Sequence, residues 1–155
     1  MGAKHETKIW PHFGELALKI RKELGILPVL VGNKEDLRYI DEFPDESESL
    51  NLLGKTSIRQ LVTLLKKAKF VISNDSGVGH IASSYGVPTL VFFGPTIPEF
   101  GFRPIGVKAV ALEYKGELPC RPCSLHGEKP CKRKEKLCLT GITPEEVFDS
   151  LKMLL

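Results

Sequence analysis

The sequence predicts an α/β domain built on a Rossmann-like, doubly wound parallel sheet. Short apolar segments alternate with helix-like segments along most of its 155 residues. Several of the apolar segments contain almost no polar residue, which is typical of strands that helices cover on both faces. The apolar share of 42% and the charged share of 26% are those of an ordinary globular domain with one buried core.

The elements of the first half follow from periodicity and from helix start and stop signals. Apolar residues recur on one helical face after Trp10, with Pro11 in the first turn and Gly25 as the stop. Ser57 is placed to cap a later helix. The predicted elements are helices at 10–25, 34–43 and 57–68, and strands at 27–31 and 50–53.

The second half continues the same alternation. A polar turn at 73–77 separates a strand from a helix of small residues, which Gly86 closes. Thr143 and Pro144 form a capped start for the last helix, with acidic residues in its first turn. The predicted elements are strands at 70–72, 88–93 and 107–112, and helices at 78–85 and 143–155.

One strand is missing from this pattern. A complete Rossmann-like domain begins on a strand, and in the common order that strand is central in the sheet. This sequence begins on a loop and a helix. We therefore expect an upstream segment or a partner chain to supply the first strand. Residues 1–155 are otherwise expected to form a single domain with a basic, cysteine-containing loop at about 113–141.

The turn before the small-residue helix is the strongest candidate for a ligand site. In open parallel sheets, ligands bind outside the carboxyl ends of the strands. Asp75 or Ser76 can cap the helix, while Gly77 and Gly79 allow a ligand to approach the backbone. The helix N-terminus favours an anion such as a diphosphate, with Ser76 and His80 at the same mouth. An ordinary capped junction with a surface histidine explains this local pattern equally well.

The same turn opens a longer match. Residues 73–82 read SNDSGVGHIA, residues 85–89 read YGVPT, and residues 93–96 read FGPT. This resembles the signature of glycosyltransferase family 9, which runs (T/S)-N-D-(T/S)-G-x-x-H-x-A, a small-residue helix, G-x-P, a strand and F-G-P-T. The family includes the heptosyltransferases of lipopolysaccharide core synthesis.

The resemblance extends over essentially the whole chain. The upstream residues that match the family loop G-A-x-x-x-x-K-x-W-P are Gly2, Ala3, Lys8, Trp10 and Pro11. Gly32 and Glu35 resemble its glycine at a strand end and the nearby acid. The cysteines at 120–138 and the segment 142–145 resemble its C-terminal stretch.

The resemblance implies the C-terminal half of a GT-B fold. In this family that half binds ADP-heptose or a related nucleotide sugar, and the sugar passes with inversion and without a metal to the lipopolysaccharide core acceptor. The implied donor-binding residues are Lys8, Glu35, Asp75, Ser76, Gly77, His80, Gly94 and Thr96.

Individual roles follow from the same resemblance. Lys8 would neutralise phosphate charge, with Lys4 a weaker candidate, and Glu35 would accept hydrogen bonds from the nucleoside. Trp10 is expected to pack in the core. The general base is an aspartate of the N-terminal domain in this family. We therefore expect no catalytic residue in this chain, and no autonomous transfer.

Four cysteines follow the spacing C-x2-C-x7-C-x6-C, at Cys120, Cys123, Cys131 and Cys138. Four thiolates suit a tetrahedral zinc ion, although the later spacings differ from those of a zinc ribbon. A structural zinc ion, two disulfides or four free thiols remain open. Each alternative makes the cysteines structural, and no cofactor is expected to take part in catalysis.

Charge and hydropathy bear on location and partners. The net charge is +3, and the segment 115–138 carries seven basic and three acidic residues. No apolar run approaches the about 20 residues that span a bilayer, and the first residues are not an apolar signal segment. We expect a cytoplasmic protein whose basic segment can contact phosphorylated glycolipid at the inner face of the inner membrane.

Two other functions compete with the donor-binding domain. A nucleic-acid-binding module on the basic segment is disfavoured, because that segment has no aromatic residue on which bases could stack. A nucleotide-binding remnant without turnover would carry the same binding residues.

Overall fold

Short parallel strands form two separate sheets in the computed structural model, which describes residues 5–43, 45 and 48–155. In the first sheet, β1 (Val29–Leu30) pairs with β2 (Leu50–Asn51), and Val29 lies opposite Leu50. The second sheet has the order β3 (Val71–Asn74), β4 (Thr89–Phe93), β5 (Ala109–Glu113). Its register places Ile72, Leu90 and Val110 side by side.

The helices alternate with these strands. They are α1 (Phe13–Leu24), α2 (Ile58–Lys67), α3 (Gly77–Ser84), α4 (Leu137–Thr140) and α5 (Pro144–Leu154). Short 3-10 helices cover Glu6–Lys8, Lys34–Glu42 and Pro98–Phe100. The caps predicted at Ser57 and Thr143 both form, since each side chain accepts a hydrogen bond from a first-turn N–H group. None of the described helices is long and apolar enough to cross a membrane.

Three local predictions were wrong. Helix α1 begins at Phe13 instead of Trp10, because the main chain and the indole of Trp10 are bound to distant residues. Residues 34–42 form a 3-10 helix in place of an α-helix. The strand predicted at 27–31 shrinks to two residues, and Val29 is 44% exposed instead of buried.

The core lies on both faces of the second sheet. On one face, Trp10 stacks on Phe92 with ring centroids 4.3 Å apart, and α1, α4 and α5 supply most of the surrounding apolar side chains. On the other face, α2 and α3 pack against Val71 of β3. Strand β4 is buried along its whole length. Helices on both faces of a parallel sheet give the doubly wound arrangement that the alternating pattern predicts.

The strand order explains why the sheet has two parts. A Rossmann-like sheet has the order 3-2-1-4-5-6. Strands β2 and β1 take the places 3 and 2, and β3, β4 and β5 take the places 4, 5 and 6. No described residue occupies the central place between β1 and β3. Because β3 and β4 are parallel, the loops after these two strands emerge at the same edge.

Candidate functional site

The candidate site is centred on Asp75, which directly follows β3. Its carboxylate is 5% exposed and lies 2.5 Å from the ammonium group of Lys8, which is 12% exposed. The same oxygen, Oδ2, accepts a hydrogen bond from the Thr96 hydroxyl at 2.9 Å. Three segments that are distant in sequence therefore meet at one buried ion pair.

Lys8 reaches this place because its loop is held on two sides. The main-chain N–H of Trp10 donates to the side-chain oxygen of Asn74 at 2.9 Å, at the end of β3. The hydroxyl of Thr7 donates to the carbonyl of Gly127 in the cysteine-bearing loop. The Trp10 side chain is fully buried and packs against Phe13 and Phe92, so the expectation that it packs in the core is confirmed.

The start of α3 differs from the predicted cap. Ser76 is the N-cap residue, but its side chain makes no capping bond, and Asp75 makes none because Lys8 and Thr96 engage its carboxylate. The Ser76 hydroxyl is buried and has no hydrogen-bond partner. Among the described residues, no other buried side-chain nitrogen or oxygen lacks a partner. The first N–H groups of a helix also lack partners within it. The N-terminus of α3 therefore presents hydrogen-bonding groups for a ligand.

The three glycines near the site differ in their surroundings. A Cβ atom at Gly77 would meet nothing within 4 Å, so this position is open to a ligand. A Cβ atom at Gly79 would lie 2.6 Å from the Ser73 hydroxyl, and one at Gly94 would lie 2.5 Å from the Leu139 side chain. Gly79 and Gly94 are thus required for close packing, and the expectation that Gly79 admits a ligand was wrong.

His80 and Glu35 take no part in the ion pair between Lys8 and Asp75. His80 is partly exposed near the start of α3, and its ring has no hydrogen-bond or ion-pair partner in the described part of the chain. Glu35 is exposed in the first turn of the 3-10 helix that follows β1. Its neighbour Asp36 is buried instead, and accepts a hydrogen bond from the Asn33 N–H at 2.8 Å. Asp36 therefore has a capping role, which the spacing Asn-x-x-Asp could have indicated.

Arg121 is a site-supporting residue that the sequence analysis missed. Its side chain is 11% exposed and forms an ion pair with Glu113 at 2.8 Å. The guanidinium also donates to the carbonyls of Phe93, Gly94 and Thr96. Arg121 is one of seven basic residues in the segment 115–138, and no local sequence pattern indicates that its side chain is the buried one. Arg121 fixes the loop that carries Thr96.

The four cysteines are free thiols in the structure. Cys138 is buried, and this burial raises the pKa of its thiol from 9.0 to about 11. Burial also raises the pKa of Cys123, with a further contribution from the neighbouring Cys120 and Cys131. No three His, Cys, Asp or Glu side chains within the described ranges are arranged to hold a metal ion. The zinc site stays a prediction.

The arrangement favours binding of an anion over proton transfer. Asp75 already interacts with an ammonium group and a hydroxyl, so it is suited to positioning Lys8. The N-terminus of α3 directly follows Asp75 in the chain, its first residue Gly77 is open, and a helix N-terminus favours an anion. Gly2 and Ala3, which also match the sequence signature, and Lys4, the weaker phosphate candidate, lie outside the described residues.

Comparisons with known proteins identify the family of this chain. The family model of glycosyltransferase family 9 (heptosyltransferase) matches residues 1–134. The lipopolysaccharide heptosyltransferase 2 of Salmonella typhimurium is 33% identical over 159 residues, which cover 96% of this chain and 43% of that protein.

Solved structures match as well. The ADP-heptose LPS heptosyltransferase II of E. coli superposes with a TM-score of 0.78 at 28% identity, over 99% of this chain and 44% of that one. The iron-containing dodecameric glycosyltransferase TibC of enterotoxigenic E. coli shares the fold, with a TM-score of 0.71 at 19% identity, over 98% of this chain and 42% of that one.

The chain spans less than half the length of these relatives. The predicted Rossmann-like α/β class and its place in a GT-B fold are confirmed by these structures. The match with the family model extends over most of the sequence and includes the loop of Lys8, the Asp75–His80 turn and the loop of Thr96. The chain belongs to glycosyltransferase family 9, the heptosyltransferase family.

Proposed function

We propose that residues 1–155 form the donor-binding domain of an inverting, metal-independent glycosyltransferase that uses ADP-heptose or a related nucleotide sugar. The observation that carries this proposal is the buried Lys8–Asp75 pair beside the open N-terminus of α3. An unpartnered buried hydroxyl at Ser76 adds a group that a ligand can satisfy.

The diphosphate of the donor is proposed to bind at the start of α3. The first N–H groups of the helix and the Ser76 hydroxyl would bind phosphate oxygens, and the absence of a side chain at Gly77 leaves room for them. Lys8 would add positive charge as the leaving nucleotide gains negative charge, which is part of what a divalent cation does in other transferases. His80 would face the sugar or the phosphate from the same helix.

The remaining donor residues have indirect or peripheral roles in this proposal. The Thr96 hydroxyl is bound to Asp75, so Thr96 positions the ion pair instead of the ligand. Gly94 sets the path of the same loop by its close packing on Leu139. Glu35 would accept hydrogen bonds from the ribose, since it follows β1 at the edge where ligands of parallel sheets bind.

The acceptor and the general base are assigned to the part of the relatives that this chain does not span. The acceptor would be the lipopolysaccharide core, and a base in the N-terminal domain would take its proton. A cytoplasmic location at the inner face of the inner membrane follows from the same proposal. Its support is the exposure of four cations in the cysteine-bearing loop: Lys129, Lys132, Arg133 and Lys134.

A structural metal at Cys120, Cys123, Cys131 and Cys138 is part of the proposal. Its support is the presence of three free thiols in the cysteine-bearing loop and of a fourth, Cys138, in the helix α4 that directly follows it. Elemental analysis of protein purified without chelator tests it. One equivalent of zinc that is lost in a Cys120→Ser variant would support the site. Metal-free protein with four titratable thiols would contradict it.

Calorimetry tests donor binding directly. ADP and ADP-heptose should bind to the chain, whereas UDP should bind more weakly if the nucleoside is recognised. The variants Ser76→Ala and His80→Ala should lower the affinity for ADP-heptose. Lys22→Ala, which changes an exposed lysine on α1, should leave that affinity unchanged. Equal binding of all nucleotides by every variant would contradict a specific site.

Transfer needs a separate assay. The chain alone should not move the sugar to a lipid acceptor, and transfer should appear when the N-terminal half is supplied. Donor binding without transfer in that second assay would instead support a binding remnant without turnover. Robust transfer by the chain alone would show that it contains a base.

A further inference from the structure

Two loops near Lys8 meet through their aromatic side chains. One begins at the carboxyl end of β4, passes through the 3-10 helix that the left-handed residue Gly101 ends, and continues into Phe102. The other is the turn 124–128 of the cysteine-bearing loop. The ring centroids of Phe102 and His126 lie 5.8 Å apart, with the ring planes tilted by 42°. The two loops therefore share one aromatic pair.

The turn 124–128 lies against the side chain of Lys8. A Cβ atom at Gly127 would lie 2.8 Å from Cγ of Lys8 and 3.1 Å from Cγ of Pro95, so the main chain of Gly127 covers the lysine stem. The left-handed φ of +76° at this position also favours glycine. Since His126 directly precedes Gly127, its imidazole is attached within one residue of the contact with Lys8.

Hydrogen bonds hold this turn in one shape. The Glu128 carboxylate accepts from the Ser124 hydroxyl at 2.8 Å and from the N–H of His126 at 3.1 Å. The N–H of Cys123 donates to the carbonyl of Pro95 at 2.8 Å, which binds the turn to the loop after β4. Both rings are thus positioned before a ligand arrives, and such preorganisation lowers the entropy that binding costs.

The aromatic pair is accessible, and it lies away from the proposed nucleoside contact. His126 is exposed, and Phe102 is only half-buried. Glu35 follows β1 of the first sheet, whereas the two rings adjoin the loop of Pro95 after β4 of the second. The nucleoside and the sugar of a nucleotide sugar are attached to opposite ends of its diphosphate. With the diphosphate at the start of α3 and the nucleoside toward Glu35, the sugar extends toward the rings.

We propose that Phe102 and His126 form an aromatic wall of the donor site that contacts the sugar ring of the nucleotide sugar. This inference rests on the proposed donor-binding function. The C–H groups on the face of a sugar ring carry partial positive charge, and the face of an aromatic ring is negative, so the two attract each other. Ligand sites commonly combine such apolar walls with a few polar groups, which Lys8 and Ser76 supply here. The aromatic wall recognises the sugar, and the polar groups recognise the diphosphate.

Calorimetry with ADP and ADP-heptose tests the aromatic wall. Phe102→Ala and His126→Ala should each lower the affinity for ADP-heptose by about two- to tenfold, the range of one aromatic contact. The affinity for ADP should stay unchanged, because ADP has no sugar beyond its diphosphate. Phe102→Tyr keeps the ring and should bind ADP-heptose like the unmodified chain. The matched control is Tyr85→Ala, which removes an exposed aromatic side chain at the C-terminal end of α3 and should change neither affinity.

Two results would overturn the aromatic wall while leaving the donor site in place. Equal losses of affinity for ADP and ADP-heptose would show that the rings only support the turn over Lys8. Unchanged affinity for ADP-heptose in both alanine variants would place the sugar elsewhere. Since His126 is exposed, its substitution decides the question even where Phe102→Ala disturbs its loop. Failure of the proposed function gives a different result, because the unmodified chain would then bind neither ADP nor ADP-heptose, and the aromatic wall would fall with it.

Discussion

Substitutions at Lys8 and Asp75 should separate the two roles of this ion pair. Both side chains are nearly buried, at 12% and 5% exposure. Removal of one partner of a buried pair leaves an uncompensated charge and costs about 3–5 kcal/mol. We therefore expect Lys8→Met to lower the free energy of unfolding by roughly this amount. The neutral double variant Lys8→Met with Asp75→Asn should recover much of the loss.

Affinity for ADP should follow a different pattern. Lys8→Met would remove the proposed charge-assisted hydrogen bond to phosphate, which is worth about 1.5–3 kcal/mol, or roughly a ten- to hundredfold change in affinity. Asp75→Asn removes the negative charge beside the ligand and leaves the ammonium group in place. This variant should therefore bind ADP as tightly as the unmodified chain or more tightly, above all at low salt.

Urea denaturation measures the stability of the four proteins, and calorimetry measures ADP binding at two salt concentrations. The matched control is Lys22→Ala on the exposed face of α1, which should alter neither quantity. The reasoning would be refuted if Lys8→Met left affinity unchanged while Asp75→Asn abolished it. That result would assign the ligand contact to the carboxylate, for example through a sugar hydroxyl, and leave Lys8 with a structural role.

Three further predictions concern the surroundings of the site. In the metal-free chain the pKa of Cys138 is raised from 9.0 to about 11, so its folded thiol keeps a proton that the unfolded chain loses, and stability should fall as the pH rises through this range. The stability gap between the unmodified chain and Cys138→Ala should narrow by about 2–3 kcal/mol between pH 8 and pH 11 in urea denaturation, and a constant gap would contradict the shift. Gly79→Ala should lower the free energy of unfolding by about 1–3 kcal/mol, because its methyl group would clash with Ser73. Gly77→Ala should leave the stability unchanged but lower the affinity for ADP, and equal stability losses in the two variants would contradict this distinction. Arg121→Met should cost about 1.5–3 kcal/mol of stability, and hydrogen exchange should show a loosened 94–96 loop; an unchanged loop would remove Arg121 from its support.

The predictable part of the fold is the part encoded in short segments. The caps at Ser57 and Thr143 form because each needs only a residue three positions later. The stop at Gly25 forms because a left-handed residue ends α1 there. The start of α1 was misplaced since Trp10 bonds to Asn74 and Ile142, which no local pattern reveals. Among the described residues no strand joins β1 to β3, so the parallel sheet that the alternating pattern predicts is divided in two.

The candidate site was likewise predicted only in part. The turn at Asp75 was predicted because a parallel sheet places its ligand-binding loops at one edge, independently of the side-chain contacts. The pairing of Asp75 with Lys8 and Thr96 was not predicted, since a carboxylate beside a helix start is as well suited to capping. Arg121 was missed because its role depends on three carbonyls of a distant loop.

These contacts give the cysteine-bearing loop a definite part in the site. On one side, Gly127 accepts a hydrogen bond from Thr7, in the turn that presents Lys8. On the other side, the N–H of Cys123 donates to the carbonyl of Pro95 at 2.8 Å, and Arg121 binds the carbonyl of Thr96 at 2.9 Å.

The loop therefore spans the two segments whose side chains meet at Asp75. Neither segment belongs to a regular strand, so this span helps to set their separation, together with the hydrogen bond from Trp10 to Asn74. A change that loosened the cysteine-bearing loop would move Lys8 relative to Thr96 without touching either residue. Donor affinity should therefore respond to the state of the thiols, although no cysteine needs to contact the ligand.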